Sequence, residues 1–336
     1  MIFKKIKERV SNEDEMYKNI GSFSDMIKKG WNLAKDLEIS KRDEITFVGM
    51  GGSGIPGDFF KTILEPKGIR VNIVKDYHIP SYIDSGPIFL VSYSGNTEET
   101  ISSTKDAISK DLECVSITTN GVLSQLSQVN NLPLVFIPKG ITPRASMGYF
   151  IGVIFRILDN SDYFDEGKSS LIYYLSTLLK KPHLRNNGKE LAKRIGSKIP
   201  LVYTSNKFSS VGYRWKCQFN ENSKRMSFFN TFSEMNHNEL MGYNNFDPDL
   251  FYVVILRDEE DSPRIVRRMD AFKDILKERG IKVSILKITG NNFISRALSG
   301  ILIGDWASYY LAKSDDIDPS DTSLIERFKE DIKKSE

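Results

Sequence analysis

The chain has 336 residues, 40% of them hydrophobic and 27% charged, with a formal net charge of +3. That is ordinary globular composition, and at roughly 100–200 residues per domain it is long enough for two domains. Lys and Arg alternate with acids along the chain, so nothing points to nucleic acid. The two cysteines, Cys114 and Cys217, suggest no disulfide framework and place the protein in a reducing compartment. Residues 1–7 carry no long apolar core and no cleavage-like site. The stretch 294–313 is the nearest thing to a membrane span, but it contains Arg296 and Asp305 and reads as a buried helix. A cytoplasmic protein without nucleic-acid or membrane partners is expected.

In chain order, residues 1–40 read as polar helix. A short apolar strand at 44–48 then runs into Gly49-Met50-Gly51-Gly52-Ser53-Gly54, and a helix follows to about residue 64. Further strands are expected at 70–74, 88–93, 115–118 and 134–137, with helices at 97–110, 123–129 and 147–158. Apolar strands alternating with helices indicate a parallel sheet covered on both faces. The polar stretch 180–189 reads as a linker. The alternation restarts with strands at 201–204, 252–256 and 283–288, and helices beginning at 211, 265 and 294. A polar tail from 315 ends in a short charged helix. The expectation is an α/β protein of two domains and a tail: 1–180, 181–313 and 314–336.

Ligands of open α/β sheets bind at the carboxyl ends of strands. Two loops stand there. Gly49-Met50-Gly51-Gly52-Ser53-Gly54 matches the dinucleotide pattern, with Asp76 near the end of the next strand, yet a lone glycine pattern is also a tight turn. The second loop, Ser92-Tyr93-Ser94-Gly95-Asn96-Thr97-Glu98, brings three hydroxyls to a strand end that leads into a helix. Thr97 suits the helix cap, and the free amides and dipole of that terminus suit an anion. Hydroxyls and amides without nearby Lys or Arg suit a phosphate monoester in a neutral pocket, with Gly52, Ser53, Ser92, Ser94 and Thr97 as its ligands.

These two loops together resemble the sugar isomerase (SIS) domain. The whole chain, with Pro143-Arg144-Ala145, Phe219-Asn220-Glu221-Asn222 and Asn236-His237-Asn238-Glu239, is similar to the archaeal-type bifunctional phosphoglucose/phosphomannose isomerase family. The resemblance implies two SIS-type (flavodoxin-like) parallel-sheet sandwich domains plus a C-terminal helical tail. It also implies a cofactor-free aldose–ketose isomerase that links glucose 6-phosphate and mannose 6-phosphate to fructose 6-phosphate through a cis-enediol.

Such a reaction needs a base for one proton, a positive group beside the enediolate oxygen, and an acid/base to open the ring. On composition alone Glu221 reads as a solvated helix-end carboxylate; the resemblance assigns it the base. His237 falls on the family's ring-opening residue, which reaches the neighbouring subunit's site, so a homodimer with shared sites is implied. Arg144 follows the fifth strand and carries a fixed charge suited to the enediolate. Lys329 matches the family's C-terminal lysine, with Lys333 and Lys334 as rivals in register. Thr322, a small hydroxyl residue in the tail, is the candidate for admitting both epimers. His78, His183 and His237 show no metal-ligand spacing, and no metal is expected. The second half lacks a glycine loop, so the phosphate is expected in the first domain. A sugar-phosphate-binding regulator without turnover is the alternative; the first 40 residues carry no recognition pattern for DNA.

Overall fold

The computed structural model describes residues 14–164 and 168–334. It contains the helices α1 (Glu15–Gly21) and α2 (Phe23–Leu33), then β1 (Glu44–Val48), α3 (Gly51–Leu64), β2 (Arg70–Val74) and β3 (Ile88–Ser92). Next come α4 (Glu98–Ser109), β4 (Cys114–Thr118), α5 (Gly121–Val129), β5 (Leu134–Phe136) and a single 3-10 turn, Pro143–Ala145. The helices α6 (Met147–Asn160), α7 (Ser169–Leu178) and α8 (Pro182–Ile195) lead into the second sheet. That half holds β6 (Ile199–Ser205), α9 (Ser209–Ser223), β7 (Phe228–Phe232), α10 (Glu239–Gly242), β8 (Phe251–Asp258), α11 (Pro263–Glu278), β9 (Val283–Ile288) and α12 (Phe293–Ser314). The tail ends in α13 (Ser323–Lys333).

The first sheet has the order β2-β1-β3-β4-β5 and the second β7-β6-β8-β9, and every pairing is parallel. Both are doubly wound: the chain starts in the middle, moves to one edge, then crosses back. The crevice where that direction reverses lies between β1 and β3 in the first sheet and between β6 and β8 in the second. Strands β3 and β4 are buried at every position, as central parallel strands covered by helices must be.

The fold class therefore agrees with the sequence reading; α7 was not expected, and two further differences stand out. The stretch 180–189 is no linker: from Pro182 it is the helix α8, whose Pro at the first helical position is well tolerated. Its polar residues face outward, while Leu184, Gly188, Leu191, Ala192 and Ile195 are buried. The other difference is β7, which the alternation does not reveal because its residues are half-buried at an edge rather than uniformly apolar.

One continuous apolar core joins the halves, from Met16 in α1 through the first sheet to Leu311 in α12. The helix α12 is buried on nearly all sides, as an all-round apolar helix should be, and α8 and α9 pack against it. No described helix is long and apolar enough to cross a membrane. Helix α9 also meets α3, so the second half is pressed against the glycine loop of the first.

Candidate active site

The two sequence-flagged loops meet at the β1/β3 crevice. The glycine loop forms the first turn of α3, and Thr97 takes the N-cap position of α4. Two helix amino termini, each with free backbone N–H groups, thus face the same crevice. The loops are stitched to each other: Ser53 Oγ accepts from Tyr93 N at 3.1 Å. Gly95 has a φ of +69°, and a Cβ there would fall 1.7 Å from Asn120 O, so only glycine fits this turn.

The hydroxyls divide into two roles. Ser92 is buried, and its Oγ accepts from Gly95 N at 3.1 Å and lies 3.0 Å from Thr97 Oγ1. It shapes the loop from inside. Thr97 makes no side-chain cap bond; its hydroxyl turns to Ser92 instead. Ser94 is exposed, with its Oγ accepting from Asn96 N. Ser94 and Thr97 are the hydroxyls at the loop surface. The loop is not free of cations in space: the Lys75 side chain lies 3.5 Å from the position a Gly54 Cβ would take, and Lys75 Nζ is paired with Asp58 at 2.6 Å.

Arg144 is brought to the same crevice by the 3-10 turn after β5. Tyr93 guides that segment, since its Oη accepts from Ile141 N at 2.9 Å and donates to Pro138 O. Gly52 then touches the turn directly: a Cβ on Gly52 would lie 2.9 Å from Arg144 Cα.

From the other side comes α9. Its Asn222 Oδ1 accepts from Arg144 Nε at 2.7 Å, and its Arg214 Nη2 donates to Arg144 O at 2.7 Å. Arg214 is in turn held by Asp305 of α12 through two bonds, at 3.1 and 2.9 Å. Asn222 Nδ2 donates to Ser308 Oγ, also on α12. Arg144 is 3% exposed, and Nη1 faces Glu221 Oε2 at 3.6 Å. The tail closes the remaining edge, with Arg144 Nη2 donating to Pro319 O. Burial pulls the Arg144 guanidinium below its usual pKa, and Glu221 opposes that. A guanidinium starts so high that it stays charged regardless.

Glu221 sits at the C-terminal end of α9, which is the amino edge of the second sheet. The site is therefore built from the carboxyl end of the first sheet and the amino edge of the second. The carboxyl end of the second sheet is closed off by ion pairs: Arg296, buried, bonds Asp258 through Nε at 2.5 Å, and Lys207 pairs with Asp258 at 3.2 Å and Glu260 at 2.9 Å. An internal guanidinium stands where the first sheet leaves helix termini open.

His237 is not at this site within one chain. It is exposed and follows β7, at the carboxyl edge of the second sheet. Traversing the five residues of β7 separates the two edges by roughly 16 Å. Among the described residues, no hydrogen bond or ion pair joins His237 or Lys329 to Arg144 or Glu221. Lys329 is exposed on α13. Thr322 is half-buried and donates to Glu326 Oε1 at 2.6 Å; it follows Asp321, whose carbonyl accepts from Lys224 Nζ at 2.7 Å. The tail thus reaches the site even though Lys329 stays outside it.

Arg214, Asp305, Lys224 and Pro319 had no visible role in the sequence. Asp305 carried the one available signal, a carboxylate in the middle of an otherwise apolar run. Such a charge needs a partner when buried.

Residues 184–332 match the family model described as bacterial phospho-glucose isomerase C-terminal SIS domain. A bifunctional phosphoglucose/phosphomannose isomerase of Aquifex aeolicus is 37% identical over 96% of this chain and 99% of its own length. Its counterpart in Thermoplasma volcanium is 35% identical over 91% and 97%. Among solved structures, a glucosamine-6-phosphate deaminase of Thermotoga maritima superposes with a TM-score of 0.67 at 18% identity, over 91% of this chain and 97% of that one. The C-terminal domain of a glucosamine-fructose-6-phosphate aminotransferase from Francisella tularensis does so with a TM-score of 0.67 at 14% identity, over 92% and 98%. These two share the fold.

Proposed function

The chain belongs to the bifunctional phosphoglucose/phosphomannose isomerase family, and from that premise we propose that it interconverts glucose 6-phosphate and mannose 6-phosphate with fructose 6-phosphate. The observation that carries the mechanism is the Arg144–Glu221 pair, 3.6 Å apart and held above the glycine loop. A carboxylate and a fixed cation side by side are the two groups a proton shift between neighbouring carbons requires.

In this reading the phosphate rests on the amino termini of α3 and α4, with Gly52, Ser53, Ser94 and Thr97 around it and Ser92 holding the loop. Glu221 takes the proton from the second carbon of the open-chain aldose. The electron pair moves into the new double bond between the first two carbons, and the first-carbon oxygen becomes the enediolate that Arg144 stabilises. The hydroxyl proton on the second-carbon oxygen passes to the first-carbon oxygen as the second carbon becomes the carbonyl, and Glu221 returns its proton to the first carbon, which leaves the ketose. Glucose and mannose phosphates differ only at the second carbon, so removing that proton yields one shared enediol. Thr322, small and close to the site, is the residue we assign to tolerance of both epimers. Residues 1–180 supply the phosphate loops and Arg144, residues 181–313 supply Glu221, and the tail, 314–336, closes over them.

Ring opening needs a further acid/base, and we assign it to His237 of a second copy of the chain. The separation of His237 from Glu221 along β7 supports this, because one chain does not bring both together. The side chains Met226, Phe228, Leu324, Ile325 and Phe328 are apolar and exposed, and in this reading the second copy covers part of them. Lys329, on the same exposed helix, is placed by this reading at the same junction.

The test is a coupled assay of the purified protein with each of the three sugar phosphates. Turnover of all three is expected, and Glu221→Gln should lower kcat by about 10²–10⁴-fold, the usual contribution of a positioned base. Binding of fructose 6-phosphate without turnover would leave a regulatory sugar-phosphate sensor as the better description.

A further inference from the structure

Helix α9 ends in an unusual way. Its C-cap residue, Lys224, has φ +54° and ψ 22°, a left-handed conformation that helices normally give to glycine or asparagine. A lysine is strained there, and its side chain makes bonds that glycine could not. Lys224 Nζ donates to Glu221 O at 2.5 Å and to Asp321 O at 2.7 Å. The first of these carbonyls belongs to the proposed base and the second to the residue before Thr322. Beside it, Arg225 Nη2 is paired with Asp315 at the start of the tail, and Arg144 Nη2 donates to Pro319 O. Three cations at the site thus grip residues 315–321, two of them through main-chain carbonyls.

We propose that Lys224 is a positioning residue that clamps the C-terminal segment onto the Arg144–Glu221 centre and sets the place of Thr322 there. The inference rests on the isomerase reading of that site. The main-chain carbonyl is the informative partner. Bonding Asp321 O fixes the path of the backbone, so the placement passes directly to the next residue, whatever side chain stands at 321. The Glu221 carbonyl ties the same ammonium to the last turn of α9, so base and tail move as one body. Lys224 carries no proton in the reaction and needs no contact with the sugar.

A plain helix-capping role makes a different prediction, and Lys224→Gly separates the two. Glycine suits the left-handed cap, so the fold keeps its helix end while the clamp is lost. The expected result is an unchanged or raised Tm. kcat for glucose 6-phosphate should fall by about 10–100-fold, the scale of an ångström-level misplacement. Thr322→Ala, made on the Lys224→Gly background, should add little, because the two residues act through one placement. Lys224→Arg should restore most of the activity. Hydrogen exchange gives a second readout that needs no substrate: amides of residues 318–326 should exchange faster in Lys224→Gly than in the parent. Wild-type kcat in Lys224→Gly, effects of the two substitutions that simply multiply, or unchanged exchange in the tail would each overturn the proposal. A shift in the pH profile of Lys224→Arg would do so as well, by making Lys224 a proton carrier. If the parent protein turned over none of the three sugar phosphates, the isomerase reading would fail, and the exchange experiment would still decide whether Lys224 holds the tail.

Discussion

Replacing Gly52 by alanine tests whether the glycine loop serves the chemistry by its small size as well as by its amides. A Cβ at position 52 would sit 2.9 Å from Arg144 Cα, 3.3 Å from Pro143 O and 3.4 Å from Arg144 N. All three are backbone atoms, so no side chain can rotate away. Ordinary carbon–carbon contact needs about 3.5 Å or more, so the Pro143–Ala145 turn must retreat by roughly half an ångström. That turn carries Arg144, whose Nη1 lies 3.6 Å from Glu221 and whose Nε is bonded to Asn222 at 2.7 Å. Overpacking of this kind costs about 1–3 kcal/mol of stability. A displaced catalytic cation should cost about 10–100-fold in kcat, or about 1.4–2.7 kcal/mol of transition-state stabilisation. The N–H of residue 52 survives the substitution, so KM and inhibition by inorganic phosphate should change little. The assay is steady-state kinetics with glucose 6-phosphate at a temperature well below the Tm of both proteins. Unchanged kcat with a raised KM would refute the argument, since it would mean the Arg144 turn is free to move and only the phosphate contact was disturbed.

The remaining predictions address the other two parts of the site. Ser94→Ala with Thr97→Ala should raise KM for all three sugar phosphates much more than it lowers kcat, if the phosphate contact is largely uniform binding; a collapse in kcat at unchanged KM would sink that assignment. Ser92→Ala, by contrast, removes the internal bond to Gly95 N and should lower Tm as well, which a melting curve reads directly. Mixing Glu221→Gln with His237→Ala after joint unfolding and refolding should recover activity up to about a quarter of the parent's, because half of randomly mixed dimers hold one intact shared site. No recovery, with both variants folded and dimeric by light scattering, would place His237 in the same chain's site or outside the chemistry.

The alternation of apolar strands with helices was legible from local pattern alone, because a strand buried on both faces must be apolar throughout and its neighbours must cover it. The glycine and serine loops were legible for the same reason: positive φ at Gly95 and a helix start at Thr97 are local demands with local residue preferences. Residues 180–189 and the strand β7 were misread or missed where local composition is polar and the deciding contact is remote. Gly188, for example, sits in a polar run yet lies against Trp306 in α12, where a Cβ would come within 2.6 Å of the Trp306 side chain.

The site itself divides along the same line. Arg144, Glu221, His237 and the phosphate loops could be named in one dimension, through motifs and the family they resemble. The sequence by itself thus determined two doubly wound halves, a crevice of hydroxyls and helix amides in the first half, and the kinds of side chain available for chemistry. Only the tertiary structure set Arg144 against Glu221, separated His237 from both by the length of a strand, and drew the tail over them through Lys224. Those relations depend on how the amino edge of one sheet packs against the carboxyl edge of another. Packing of that kind comes from an apolar core shared between distant segments, which no local residue preference encodes.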